Sequence, residues 1–120
     1  MKNQPLKRKF GFAWQGILFA TRTEANMRRH WIMAVLVLLF FIWLQPSALW
    51  WALIILCMGL VIAAEMANSA IEVLIDHMHP ELHPQIGRTK DMLAGMVLIL
   101  CVSAGAVGIL AVLSTLKIFV

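Results

Sequence analysis

A chain of 120 residues holds one domain at most, and an apolar share of 62% with a mean hydropathy of +0.85 removes it from the soluble class and places it in a bilayer. The net charge of +4 is uneven: Lys2, Lys7, Arg8, Lys9, Arg22, Arg28 and Arg29 all precede the first long apolar run. Basic residues beside membrane segments are accounted for by their preference for the cytoplasmic side, so no nucleic-acid partner is expected.

The start of the chain lacks the short apolar region and A-x-A-like site of a cleaved signal. Over residues 7–24, Phe10, Trp14, Ile17 and Leu18 share one side at helical spacing, with Lys7, Gln15 and Arg22 elsewhere. This pattern predicts an amphipathic helix in the cytoplasmic interface. The first apolar run, Trp31 to Leu44, reaches only roughly 21 Å against a hydrocarbon core of about 30 Å. Extending it backwards gives a membrane helix over about 27–45, with Arg28 and Arg29 snorkelling to headgroups. Gln45-Pro46-Ser47 is an uncharged tight turn, flanked by Trp43, Trp50 and Trp51 as an aromatic belt.

The second membrane helix is expected over 47–77. It turns amphipathic past Ala64 and stops at His79-Pro80, because the residue before proline avoids the α region. A polar connector with Pro80, Pro84 and Gly87 follows over His79 to Thr89. The third helix, over 91–117, carries Ala104 and Gly108, a small pair suited to close helix packing. The fold class is therefore an all-α membrane protein: one interfacial amphipathic helix and three transmembrane helices. Its N-terminus and connector lie inside, and its short turn and C-terminus outside. Cys57 and Cys101 lie within apolar runs and read as small hydrophobes rather than a disulfide.

All six acidic residues, Glu24, Glu65, Glu72, Asp76, Glu81 and Asp91, then fall on the inner side. Glu65, Asn68, Glu72 and Asp76 stand at i, i+3, i+7 and i+11 of one helix, within an arc of roughly 80°. A carboxylate in hydrocarbon costs roughly 2.5–3.5 kcal/mol, so such a stripe needs a proton, a cation or a partner. Hard oxygen ligands suit Mg²⁺, which takes its remaining ligands from phosphates and water. Lys90-Asp91 closes the connector on the same side, where a lysine can meet a nucleotide phosphate. Glu65, the deepest carboxylate, lies where a lipid headgroup reaches and suits a general base for a lipid hydroxyl.

Each residue taken singly has a blander explanation: Glu65 as an interfacial anchor, Asn68 as a helix–helix hydrogen bond, Arg88 and Lys90 as loop charges. The common stripe favours a site. His77, His79 and His83 suggest a metal site by composition, but two prolines among and beside them and no nearby cysteine favour a polar loop; His30 reads as interfacial. The phosphate-loop, protein-kinase and dinucleotide motifs are not found, and Gly87-Arg88-Thr89-Lys90 is too short to cradle a triphosphate alone.

Glu65-x-x-Asn68-Ser69-Ala70-Ile71-Glu72-x₃-Asp76, Lys90-Asp91-Met92 with Ala94-Gly95, Trp14-x-Gly16 and Glu24-x-Asn26 together resemble the small prokaryotic membrane lipid kinases, the diacylglycerol and undecaprenol kinases. The resemblance covers nearly the whole chain. It implies a homotrimer in the bacterial inner membrane, with sites composed from neighbouring subunits. It also implies γ-phosphoryl transfer from MgATP to the hydroxyl of a membrane lipid alcohol. On the matching positions, Glu65 is implied as the general base and Glu24 and Glu72 as the carboxylates holding Mg²⁺. Asn68 and Asp76 would support them. Lys90 and Asp91 are implied nucleotide contacts, with Glu81 and His83 approaching the nucleotide and Phe12 covering it. Ala94 and Ala13 stand where some diacylglycerol kinases have hydroxyls, and Pro5 where they have a basic residue, which leaves that role to Lys7 or Arg8. Glu24-x-Asn26-Met27-Arg28-Arg29-His30 and Ala94-Gly95 look closer to the undecaprenol kinase branch. The rival readings are a small carboxylate-based cation or proton transporter and a non-catalytic membrane subunit.

Overall fold

A computed structural model describes residues 3–118. Four helices follow in order: α1 (Leu6–Thr23), α2 (Ala25–Leu44), α3 (Ala48–Met78) and α4 (Pro84–Thr115). The last three are long and apolar enough to cross a membrane, making this a multi-pass membrane protein. At 1.5 Å per residue, α2 with its 20 residues is about 30 Å long and just spans hydrocarbon. The 31 residues of α3 and 32 of α4 give about 46 and 48 Å, so both overhang the bilayer. The five-residue connector 79–83 joins their overhanging ends.

One residue, Glu24, separates α1 from α2. Its extended backbone (φ −110°, ψ 115°) redirects the chain, while its N–H still donates to the Ala20 carbonyl at 2.9 Å. The corner is locked by side chains. Arg28 Nη1 donates to the carbonyls of Thr21 (3.0 Å) and Arg22 (2.9 Å), serving two of the acceptors a helix C-terminus leaves open. The Trp31 indole N–H donates to the Thr21 hydroxyl at 3.1 Å, and Met27 between them is fully buried. Arg28 is thus a helix cap, and Arg29 Nη1 donates to Asn26 Oδ1 at 2.7 Å.

At the opposite end, Gln45 turns the chain in the left-handed region (φ 55°) and donates its N–H to the Phe41 carbonyl, while Pro46 is buried beneath it. The helices pack on a small apolar core of Phe41, Ile54 and Ala111, one residue each from α2, α3 and α4. Trp50 and Trp51 pack against it, leaving Trp43 as the outward-facing member of the expected belt. The most extensive packing is between α3 and α4.

Two expectations need correction. The connector was to run to Thr89, with the last helix beginning near residue 91, yet α4 begins at Pro84. Proline at the first helical positions needs no N–H partner, and His83 caps the end by accepting the Gln85 N–H on Nδ1 at 3.1 Å. What reads as a breaker is here a start signal. Of the small pair Ala104 and Gly108, the glycine meets no close neighbour among the described residues: a Cβ added there finds nothing within 4 Å. Both residues instead line an apolar cavity of about 480 Å³ between α2, α3 and α4, with Cys57 and Cys101 as free thiols in its wall.

Candidate functional site

The acidic stripe of α3 is graded in burial. Glu65 (4% exposed), Asn68 (7%) and Ser69 (5%) are the buried polar residues among those described. Glu72 is half-buried, and Asp76 in the overhang is exposed. A single helix face therefore runs from the packed interior of the bundle to solvent.

At the buried end, His30 Nε2 of α2 lies 3.6 Å from Glu65 Oε2. Glu72, two turns on, and Glu24, at the α1–α2 corner, are both within electrostatic range of Glu65. Asn68 Oδ1 is buried without a hydrogen-bond partner. Leaving a buried acceptor unpaired costs about 1–3 kcal/mol.

At the outer end of the stripe, Lys90 Nζ of α4 is ion-paired with Asp76 Oδ1, with Glu72 also in electrostatic range of the ammonium. Asp76 and Lys90, with Glu81 and His83, line a cavity of about 350 Å³ under the connector. Glu81 is fully exposed there. Its own backbone N–H, and then the His79 ring at 3.4 Å, hold its carboxyl below the usual range.

The structure thus brings Glu65, Asn68, Glu72, Asp76 and Lys90 onto one face pairing, with Glu24 at its inner edge and Glu81 and His83 at its outer one. Phe12 and Asp91 are not drawn in by any contact of this kind. Phe12 is exposed, with the Arg8 guanidinium 5.9 Å from its ring centroid. Asp91 is exposed and makes no ion pair among the described residues. No three of the described His, Cys, Asp and Glu side chains form a metal-chelating cluster.

Sequence reasoning missed two members of the site. Ser69 follows Glu65 by four residues and belongs to the same face. His30 carries no spacing signal toward Glu65, but depth does. It lies 16 residues before Pro46 and Glu65 lies 19 after, so the antiparallel pair α2–α3 sets them within about 5 Å of the same level.

With this geometry in hand, comparison with known proteins gives a consistent result. The family model for prokaryotic diacylglycerol kinase matches residues 11–112. A diacylglycerol kinase of Escherichia coli K12 is 35% identical over 94 residues, covering 78% of this chain and 77% of its own length. An undecaprenol kinase of Bacillus subtilis is 32% identical over 109 residues, covering 91% and 89%. A diacylglycerol kinase of Synechocystis is 31% identical over 100 residues, covering 82% and 57%. Fold and relatives together define the class, a multi-pass membrane lipid kinase. The chain belongs to the prokaryotic diacylglycerol kinase family.

Proposed function

We propose that this kinase transfers the γ-phosphoryl group of MgATP to the hydroxyl of a membrane lipid alcohol, at the connector end of α3 on the cytoplasmic face of the bacterial inner membrane. The observation that carries the reading is the graded stripe: a buried carboxylate at lipid depth, Glu65, continuous with acidic and basic groups that reach solvent. A lipid hydroxyl arrives from the bilayer and a nucleotide from water, and this face touches both. The concentration of Lys and Arg before α2 supports the cytoplasmic placement.

In the transfer, the lipid oxygen forms a bond to the γ-phosphorus as the bond from that phosphorus to the β,γ-bridging oxygen breaks. Glu65 accepts the hydroxyl proton, and ADP leaves with the electron pair of the broken bond. The protein has little covalent work to do, so positioning and charge compensation supply most of the rate. Glu24 and Glu72 would hold Mg²⁺: both are hard-oxygen donors within electrostatic range of Glu65, and the unpaired Asn68 Oδ1, one turn before Glu72 on the same face, is a third oxygen of the kind this ion takes. Held there, Mg²⁺ would supply the positive charge that offsets the phosphates. Lys90, released from Asp76, meets a phosphate as a point charge. Asp91, Glu81, His83 and Phe12 complete the nucleotide surface.

The acceptor is diacylglycerol, giving phosphatidic acid, or undecaprenol, giving undecaprenyl phosphate, the acceptors named for the relatives. The functional unit is a homotrimer whose sites are shared between subunits. The extensive apolar exposure of α2 and α4 supports this, leaving faces for lipid and for neighbouring copies.

The test is transfer of label from γ-labelled MgATP by purified protein in mixed micelles, with the two lipids offered separately and together and Glu65→Gln as the blank. Label in one lipid, absent with the variant, is expected and names the acceptor. Label in neither lipid, from folded protein that binds MgATP, contradicts both acceptors. Loss of MgATP binding as well would return the transporter and packing-subunit readings.

A further inference from the structure

We propose that His30 is a positioning residue for Glu65, steadying one carboxylate oxygen so that the other is free to take the lipid hydroxyl proton. The inference rests on Glu65 acting as the base.

Glu65 is buried among charges of its own sign, since Glu72 and Glu24 both lie in electrostatic range. The one ion-pair contact it makes among the described residues is His30 Nε2, at 3.6 Å from Oε2. That separation is just beyond a hydrogen bond, and such contacts in resting sites tighten when substrate binds. Asn68 and Ser69, one turn along α3, are the other polar side chains buried at this level.

The stretch of α2 that carries the imidazole is anchored to α1. The neighbours of His30 on α2 are tied to α1 from both sides: Arg28 caps two carbonyls at the end of α1, and the Trp31 indole bonds Thr21. Met27, one turn earlier, is fully buried. The ring is 21% exposed and also lines the polar end of the apolar cavity between α2, α3 and α4. It therefore meets the base and also borders the apolar cavity. A misplaced base is expensive in rate, since an error of about 1 Å costs on the order of 10²-fold.

The test compares His30→Gln with His30→Asn in the full-length protein, measuring kcat and KM for MgATP and for lipid. Glutamine carries an N–H close to the reach of Nε2; asparagine carries the same group too short to meet Glu65. The expected result is a fall in kcat of about 10–100-fold for asparagine, largely restored by glutamine. KM for MgATP stays within about twofold in both. In a Glu65→Gln background, His30→Asn causes no further loss. Wild-type kcat in the asparagine variant would overturn the inference. So would a rise in lipid KM, equal in both variants, with kcat intact, because that describes a headgroup contact. An inactive Glu65→Gln beside a fully active His30→Asn removes the role of His30 alone. An active Glu65→Gln removes the assignment of the base and this inference with it.

Discussion

The two ends of α3 follow opposite rules. At the turn end, Ile54 meets Phe41 and Ala111 in an entirely apolar contact. At the connector end, the same helix buries Glu65, Asn68 and Ser69, and leaves Asn68 Oδ1 without a partner. The first arrangement contributes packing and carries no chemistry. The second is costly to fold, and on the proposed function it lies where a substrate from the bilayer would meet one from water. Stability and reactivity are thus separated along one helix by depth, and substitutions at the two ends should fail in different ways.

The largest effect that would sharpen this contrast is at the connector end. Glu65→Gln is expected to lower steady-state lipid phosphorylation by about 10²–10⁴-fold, the usual contribution of a general base, with the melting temperature little changed. Glu72→Gln should act one step earlier, weakening MgATP binding by about 10–100-fold in a direct titration. At the turn end, Ala111→Phe overfills a fully buried position and should cost about 1–3 kcal/mol of stability, read by denaturant unfolding in micelles. The rate per folded molecule should hold, and a specific loss of rate would break the separation of roles. Asp76→Asn removes one partner of a solvent-facing ion pair and should change stability by less than about 1 kcal/mol. It frees Lys90, so KM for MgATP should stay level or fall. Smallest of all, Gln45→Gly relieves a left-handed residue at the turn and should stabilise by about 0.5–1 kcal/mol without touching activity.

The same two ends differ in how far the sequence discloses them. The helices of the bundle are legible from the lengths of the apolar runs, and the stripe from the helical period, since both are properties of a single segment. Contacts between segments are not periodic and leave weaker traces. Nothing in the local sequence marks Arg28 as the cap of α1, and Pro84 reads equally as a loop residue or as the first turn of α4. Ala104 and Gly108 have the spacing of a packing motif but face a cavity, because spacing says that a close approach is possible and not that this chain makes it. The site shows the same division. Glu65, Asn68, Glu72 and Asp76 declare themselves on one helix. His30 becomes visible only when α2 and α3 are folded about Pro46 and compared in depth.

The central claim, that the connector end of α3 performs phosphoryl transfer with Glu65 as its base, is tested most directly by one paired measurement on the Glu65→Gln protein. MgATP binding and single-turnover transfer to lipid would be followed in the same preparation. The account predicts that the nucleotide binds with near wild-type affinity and that its γ-phosphate stays on the nucleotide. Transfer at the wild-type single-turnover rate would contradict it.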